Sequence, residues 1–101
     1  MGEVEWLTHV FGVYDKGAGW TGVPGVYIFA GVSPQNKWVA FYIGQCDDFQ
    51  NRIASHEQWE MAQYLGASHV HAKVVDDKAE RERIEAELIQ AFQPTLNMLL
   101  R

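Results

Sequence analysis

Glu85 is the residue whose placement most needs a chemical explanation. At about 100° per residue, a helix ending near Phe92 carries Ile84, Leu88, Ile89 and Phe92 as its apolar stripe, and Glu85 falls between Ile89 and Phe92 inside it. A carboxylate turned into an apolar face is costly unless it is paired or holds a metal ion. That makes Glu85 a candidate site residue, with a flanking salt bridge to Arg52 or Lys73 as the plainer alternative. Two tyrosines stand on apolar, β-prone runs, in Val26-Tyr27-Ile28 and in Phe41-Tyr42-Ile43. In a hairpin closed symmetrically about Pro34 and Gln35, Tyr27 and Tyr42 sit directly opposite each other with their hydroxyls on one face. Arg52 and His56 are four apart, the spacing that shares a helix face. A guanidinium offers a rigid fork to phosphate oxygens, and an imidazole can move a proton near neutral pH. Taken singly, the tyrosines read as ordinary strand residues and His56 as part of a solvated helix face.

The elements that must position these groups are legible in outline. Trp6, Leu7, Val10, Phe11 and Tyr14 fall near helical spacing, so a helix is expected over residues 1–14, weakened by Gly12. The glycine-rich stretch from Lys16 to Gly25 reads as a loop. Val26–Ala30 and Trp38–Ile43 form a hairpin around a turn at Val32–Lys37. Asp47, with Gln50 three residues on, suits the N-cap of a helix running from about Asp48 to Glu57. A second helix, Trp59–Leu65, stops at Gly66. Ser68–Val75 reads as a third strand. Asp77 and Glu80 open the last helix, which stops before Pro94. The expected order is β-β-α-α-β-α. This is an α+β (α/β-like) domain with a small, mostly antiparallel three-stranded sheet flanked by helices.

The bulk numbers bound the function. At 101 residues the chain fits one domain (residues 1–23 an N-terminal extension, 24–101 the core), too short for a second separate domain. A 48% hydrophobic content marks it as globular rather than disordered. A lone thiol, Cys46, allows no internal disulfide. No run reaches the ~20 apolar residues of a membrane span, and the acidic start is unlike a signal peptide. A soluble, cytoplasmic protein is expected. The net charge of −5 opposes whole-body attraction to nucleic acid, so any nucleic-acid affinity needs a local patch or a partner. Lys37, Arg52, Lys73, Arg81 and Arg83 are the candidates for that patch. Trp20, Trp38 and Trp59 could stack on bases, although packing is the commoner use. His69 and His71 share a strand face but lack the further ligands a zinc site needs.

Gly25-Val26-Tyr27, then Tyr42-Ile43-Gly44, then Arg52, Glu85 and Asn97 in that order resemble the GIY-YIG nuclease family. Five elements in sequence, with Arg52 ten residues after Tyr42 and a Pro94-x-x-Asn97 ending, carry the resemblance across residues 24–101. The C-terminal stretch, Glu85-x-x-Leu88-Ile89 to Pro94-x-x-Asn97-x-Leu99-Leu100, resembles in particular the N-terminal nuclease module of the bacterial excinuclease. His56 matches a position seen in some members, including homing endonucleases. Asn51 stands where many members carry a basic residue.

The resemblance implies a GIY-YIG fold and a divalent-metal-dependent DNA endonuclease working by a one-metal, in-line mechanism. Glu85 would be the single protein ligand to Mg²⁺ or Mn²⁺, since Mg²⁺ keeps most of its waters. Tyr27 or Tyr42 would orient or deprotonate the attacking water, assigned jointly. Arg52 would stabilise charge on the phosphate, and Gly25, Gly44 and Asn97 would support the site. The implied substrate is DNA, with a partner protein or a second copy of the chain supplying further binding surface. The alternative is a GIY-YIG module of weak or absent activity that acts as a DNA- or protein-binding accessory domain.

Overall fold

The computed structural model describes residues 2–100. Their elements are β1 (Glu3–Trp6), β2 (His9–Tyr14), β3 (Gly25–Val32), β4 (Trp38–Cys46), α1 (Phe49–Ala54), α2 (Trp59–Leu65), β5 (His69–Val74), α3 (Lys78–Phe92) and α4 (Thr95–Leu99). The class is α+β, as the sequence implies, but the sheet has five strands rather than three, in the order β1-β2-β5-β3-β4. Every pairing in it is antiparallel.

The two extra strands lie where a helix was expected. The chain reverses at Leu7, which takes a left-handed φ of 58°, and Trp6 pairs with His9 across a two-residue loop. Val4 and Trp6 then share the inner face with Phe11, while Leu7, Val10 and Tyr14 are exposed. The apparent helical spacing came from folding an alternating pattern back on itself at that loop. The β-branched Val4, Val10 and Val13 suit strands better than a helix.

The sheet buries both faces. On one, Val26, Ile28, Ala30 and Ile43 pack with Trp6, Phe11 and with Ile84 and Leu88 of α3. On the other, Tyr27, Phe29 and Val70 pack with Phe49 and Ile53 of α1, Ala62 of α2 and Leu96 of α4. A period of two in β3 therefore sends alternate residues to two different cores, which is why Gly25–Gly31 reads as a continuous buried run. Two of the helix boundaries shift from expectation. Asp48, not Asp47, caps α1 by accepting from the Asn51 backbone N–H at 3.2 Å, and α1 stops at Ala54 instead of reaching Glu57. Asp77 caps α3 through the Glu80 N–H at 2.9 Å, as its spacing predicts.

His71 lies fully buried in the first core. Its Nδ1 accepts from the Trp6 indole at 2.9 Å, and the Trp38 ring stands edge-on at a centroid distance of 4.4 Å. Burial, with a smaller push from His69, lowers its pKa from 6.5 to about 4. The unfolded chain therefore takes up this proton near pH 6.5 while the native state refuses it until about pH 4. The contribution is fully present above pH 6.5 and is lost as pH falls through this window, up to about 3 kcal/mol for a group so buried. Urea unfolding between pH 7.5 and 4 should show that decline. His71→Gln, which keeps an acceptor for the indole but does not titrate, should make it shallower. An unchanged slope in that variant would assign the acid sensitivity elsewhere.

Candidate active site

The turn between β3 and β4 sets where the tyrosines go. Asn36 N–H donates to Ser33 O at 2.8 Å, Ser33 N–H donates to Lys37 O at 2.8 Å, and Asn36 is left-handed with φ 63°. This is a three-residue loop with Pro34 leading it. It pairs Val32 with Trp38 and Ala30 with Ala40. Continued unbroken, that register would set Tyr42 against Ile28, on the face opposite Tyr27. A bulge intervenes between Phe29 and Ala30, leaving Phe41 unpaired. Beyond it Phe29 faces Tyr42 and Tyr27 faces Gly44. The tyrosines are thus diagonal neighbours on one face, with ring centroids 6.3 Å apart, not directly opposed as the symmetric turn predicted. Tyr27 lies across Gly44, where a Cβ would come within 2.5 Å of its hydroxyl. A Cβ on Gly25 would strike the Lys73 carbonyl and the Phe49 ring. Both motif glycines are therefore steric necessities.

Tyr27 is only 1% exposed, and its oxygen meets His56 Nε2 at 2.6 Å. His56 is not on a solvated helix face. It follows the end of α1 and is buried, with its ring edge-on to Tyr27, Phe29 and Tyr42. The Gln58 N–H donates to His56 Nδ1 at 3.0 Å. The neutral ring must then carry its hydrogen on Nε2 and donate it to Tyr27. Burial first, and then the charge of Arg52, hold its pKa down at about 4. Arg52, on α1, gives both η nitrogens to Glu57 in a fork, each at 2.7 Å. Its bond to Glu57 raises its own pKa and pulls that of Glu57 down to about 2. Arg52 also faces both phenols. Burial raises the pKa of Tyr27 and of Tyr42, and the Arg52 charge works against burial at each.

Glu85 reaches this group from the other side of β4. Arg81, one helical turn earlier on α3 and 3% exposed, donates to Asp47 at 2.6 Å, to the Asp76 carbonyl at 2.9 Å and to Gln45 and the Val75 carbonyl at 3.3 Å. This pins α3 to the end of β4. Spacing of four then brings Glu85 to the outer edge of β4, where a backbone group of Gln45 and the Tyr42 phenol feel its charge. Glu85 is half-buried. Burial raises its pKa and Glu82 adds to that. It makes no ion pair among the described residues, so the plainer salt bridge to Arg52 or Lys73 is absent there. Instead it lines a cavity of about 650 Å³ with Ala86, Ile89, Gln90, Gln93, Asn97 and Met98. Asn97, on α4, holds the same edge: its Oδ1 accepts from Ile43 N–H at 2.7 Å and its Nδ2 donates to Ile43 O at 2.8 Å. The side-chain amide thus stands in for the missing neighbour of an edge strand.

The expected cationic patch does not assemble. Arg81 is buried and occupied as above, so it is closed to a phosphate. Arg83 is exposed and bonded to Glu80. Lys73 lies opposite Val26, on the sheet face away from the tyrosines, and Lys37 sits exposed near the β3–β4 turn. Two groups that residue type and spacing did not single out belong to the site. Glu57 fills the Arg52 fork, and Phe29 packs against Tyr27, Tyr42, His56 and Trp59. The alternation of β3 already put Phe29 on the face of Tyr27, while nothing in the spacing of Glu57 announced its bond.

No family model and no curated protein matches this chain. Solved structures do. The GIY-YIG N-terminal endonuclease domain of UvrC from Thermotoga maritima, bound to its catalytic divalent cation, magnesium, is 30% identical, with a TM-score of 0.60, over 75% of this chain and 84% of that one. A cation-bound point mutant of the same domain gives 27% identity and a TM-score of 0.62, over 75% and 83%. This chain belongs to the GIY-YIG nuclease family.

Asn97 supplies a direct test of how the site edge is held. Asn97→Leu keeps the volume but strands the Ile43 N–H and C=O, at a cost of about 1–3 kcal/mol. The urea midpoint should fall with the denaturant slope unchanged, and a midpoint equal to wild type would show that solvent serves the edge as well as the amide does.

Proposed function

We propose that this chain is a divalent-cation-dependent endonuclease that hydrolyses phosphodiester bonds in DNA. The observation that carries this reading is the convergence of Tyr27, Tyr42, His56 and Arg52 on one sheet face, with the unpaired Glu85 carboxylate at the adjoining strand edge. Family membership supports it, as does the catalytic divalent cation held by the UvrC domain.

The chemistry of Glu85 suits a cation. A half-buried carboxylate with a raised pKa and no basic partner among the described residues gains most from one. No group of three or more candidate metal-ligating side chains occurs among the described residues. One carboxylate is enough for Mg²⁺ or Mn²⁺, which keeps several waters. When bound at Glu85, the ion supplies Lewis acidity to the reacting phosphate and its leaving oxygen.

The chain's own groups divide the remaining work. Tyr42 is half-exposed and electrostatically coupled to both Arg52 and Glu85, so it is the phenol placed to orient the attacking water. Tyr27 is sealed from solvent and receives the His56 Nε2–H, so it positions Tyr42 and Arg52 through the shared aromatic cluster. His56 acts as a donor to Tyr27 oxygen rather than as the base, because its free lone pair on Nδ1 is taken by Gln58. The Arg52 guanidinium binds the scissile phosphate in its fork. To do so it must release Glu57, which now occupies that fork as a phosphate would.

Purified protein with supercoiled plasmid, Mg²⁺ or Mn²⁺ and low salt tests the reading. Wild type should nick the plasmid and Glu85→Gln should not. Arg52→Lys should lose roughly 10²–10³-fold in rate, because an ammonium cannot replace a bidentate fork. Glu57→Gln should lower the DNA concentration needed for half-maximal rate. Equal nicking by wild type and Glu85→Gln would refute the mechanism. The acidic balance of −5 favours a second reading, an accessory module. Tight binding of wild type to a protein partner, with neither nicking nor low-salt DNA binding, would support that one.

A further inference from the structure

We propose that Lys16, on the loop following β2, is a second phosphate contact of this site and binds a backbone phosphate that flanks the one held by Arg52. The assignment rests on the nuclease reading above and adds a residue that neither the family motifs nor the expected basic patch contains.

Lys16 lies far from Arg52 in sequence, but the fold returns it to the site. Its Nζ stands 5.9 Å from the centre of the Trp59 ring. Trp59 packs edge-on to Phe29 at 5.0 Å, and Phe29 packs against His56 at 4.9 Å. One aromatic ring therefore separates Lys16 from the cluster that carries Tyr27 and Tyr42. The electrostatics agree with this placement, since Lys16 adds to the burial and the Arg52 charge that depress the His56 pKa.

The loop is built to hold the lysine there. Trp20 Nε1 donates to the Lys16 carbonyl at 2.9 Å, and Trp20 packs on Tyr14 and Phe49. The same loop is fastened to the start of α1, where Phe49 N–H donates to Val23 O at 3.0 Å and Gln50 N–H to Thr21 O at 3.2 Å. The element that carries Arg52 and the loop that carries Lys16 thus form one unit. The described arginines are each bonded to a carboxylate. Lys16 makes no ion pair among the described residues and is half-exposed. An ammonium lodged against an indole keeps its charge with little loss of hydration, ready for an anion. In an acidic chain this cation beside the site supplies local attraction that the whole-body charge does not.

The test is DNA binding measured across a salt series, with cleavage kinetics alongside, for wild type, Lys16→Gln and Lys16→Arg. Each phosphate contact contributes roughly 0.7–0.9 to the slope of log affinity against log salt. Lys16→Gln should lose about one such contact and raise KM several-fold while kcat stays within about twofold. Lys16→Arg should restore the slope. As a check on placement, the His56 ring signals should titrate at higher pH in Lys16→Gln than in wild type. A wild-type slope and KM in Lys16→Gln would overturn the assignment and leave the nuclease reading standing. A wild-type protein whose DNA affinity is absent at low salt would overturn both.

Discussion

The site depends on one extra residue in β4. The three-residue turn at Pro34, Gln35 and Asn36 fixes an even register between β3 and β4. Strand side chains alternate with a period of two, so that register alone would place Tyr42 on the face of Ile28, inside the other core. The bulge at Phe41 shifts the pairing by one and turns Tyr42 to the side of Tyr27, Arg52 and His56. It also sets Gly44 beneath the Tyr27 ring, so the demand for glycine there and the orientation of both phenols come from the same slip. Phe41 is held in the second core beside Gly31, where a Cβ would strike the Gly66 carbonyl, and beside Gly66, whose φ of 131° disfavours a side chain. The bulge is thereby locked by packing rather than left to slide.

Burial then decides how the polar groups behave. Desolvation raises the pKa of the two phenols and of Glu85 and lowers that of His56, so each is pushed towards its neutral form. Arg52 is the charge that opposes this trend at the phenols, and it is itself compensated by Glu57. The result is a resting site whose one strong cation is covered by a carboxylate, and whose unpaired carboxylate waits at the strand edge. An anionic substrate and a divalent cation would exchange both partners at once.

Two hydrogen-bonded pegs place the outer part of the site. Arg81 gathers the ends of β4 and β5 onto α3, and Asn97 ties α4 to the free edge of β4. Each serves a backbone that would otherwise present unsatisfied groups, and each thereby aligns the strand edge with the helix bearing Glu85. The cation expected to touch DNA is spent on architecture instead. A cation with no such assignment, Lys16, is brought to the aromatic cluster by the N-terminal hairpin and its loop.

Much of this protein was legible without coordinates. The order Tyr27, Tyr42, Arg52, Glu85 and Asn97 pointed to the family, because a fixed series of chemical types at set intervals survives changes elsewhere. Capping residues and periodicity gave α2, α3, β3, β4 and β5, since those signals act within one turn or one strand. Glu85 stood out because a carboxylate inside an apolar stripe contradicts the stripe. What local pattern could not reach was anything decided by a distant partner. Trp6 and Phe11 read as one face of a helix, but β5 offers β2 a neighbour and the segment folds as a hairpin. Asp47 read as the cap of α1, but Arg81 takes its carboxylate and Asp48 caps the helix instead. His56 looked like a surface residue until Tyr27, from another strand, met its Nε2. Side-chain type and spacing are written in the sequence. Register, burial and the choice of hydrogen-bond partner are settled only when elements far apart in the chain compete for the same atoms.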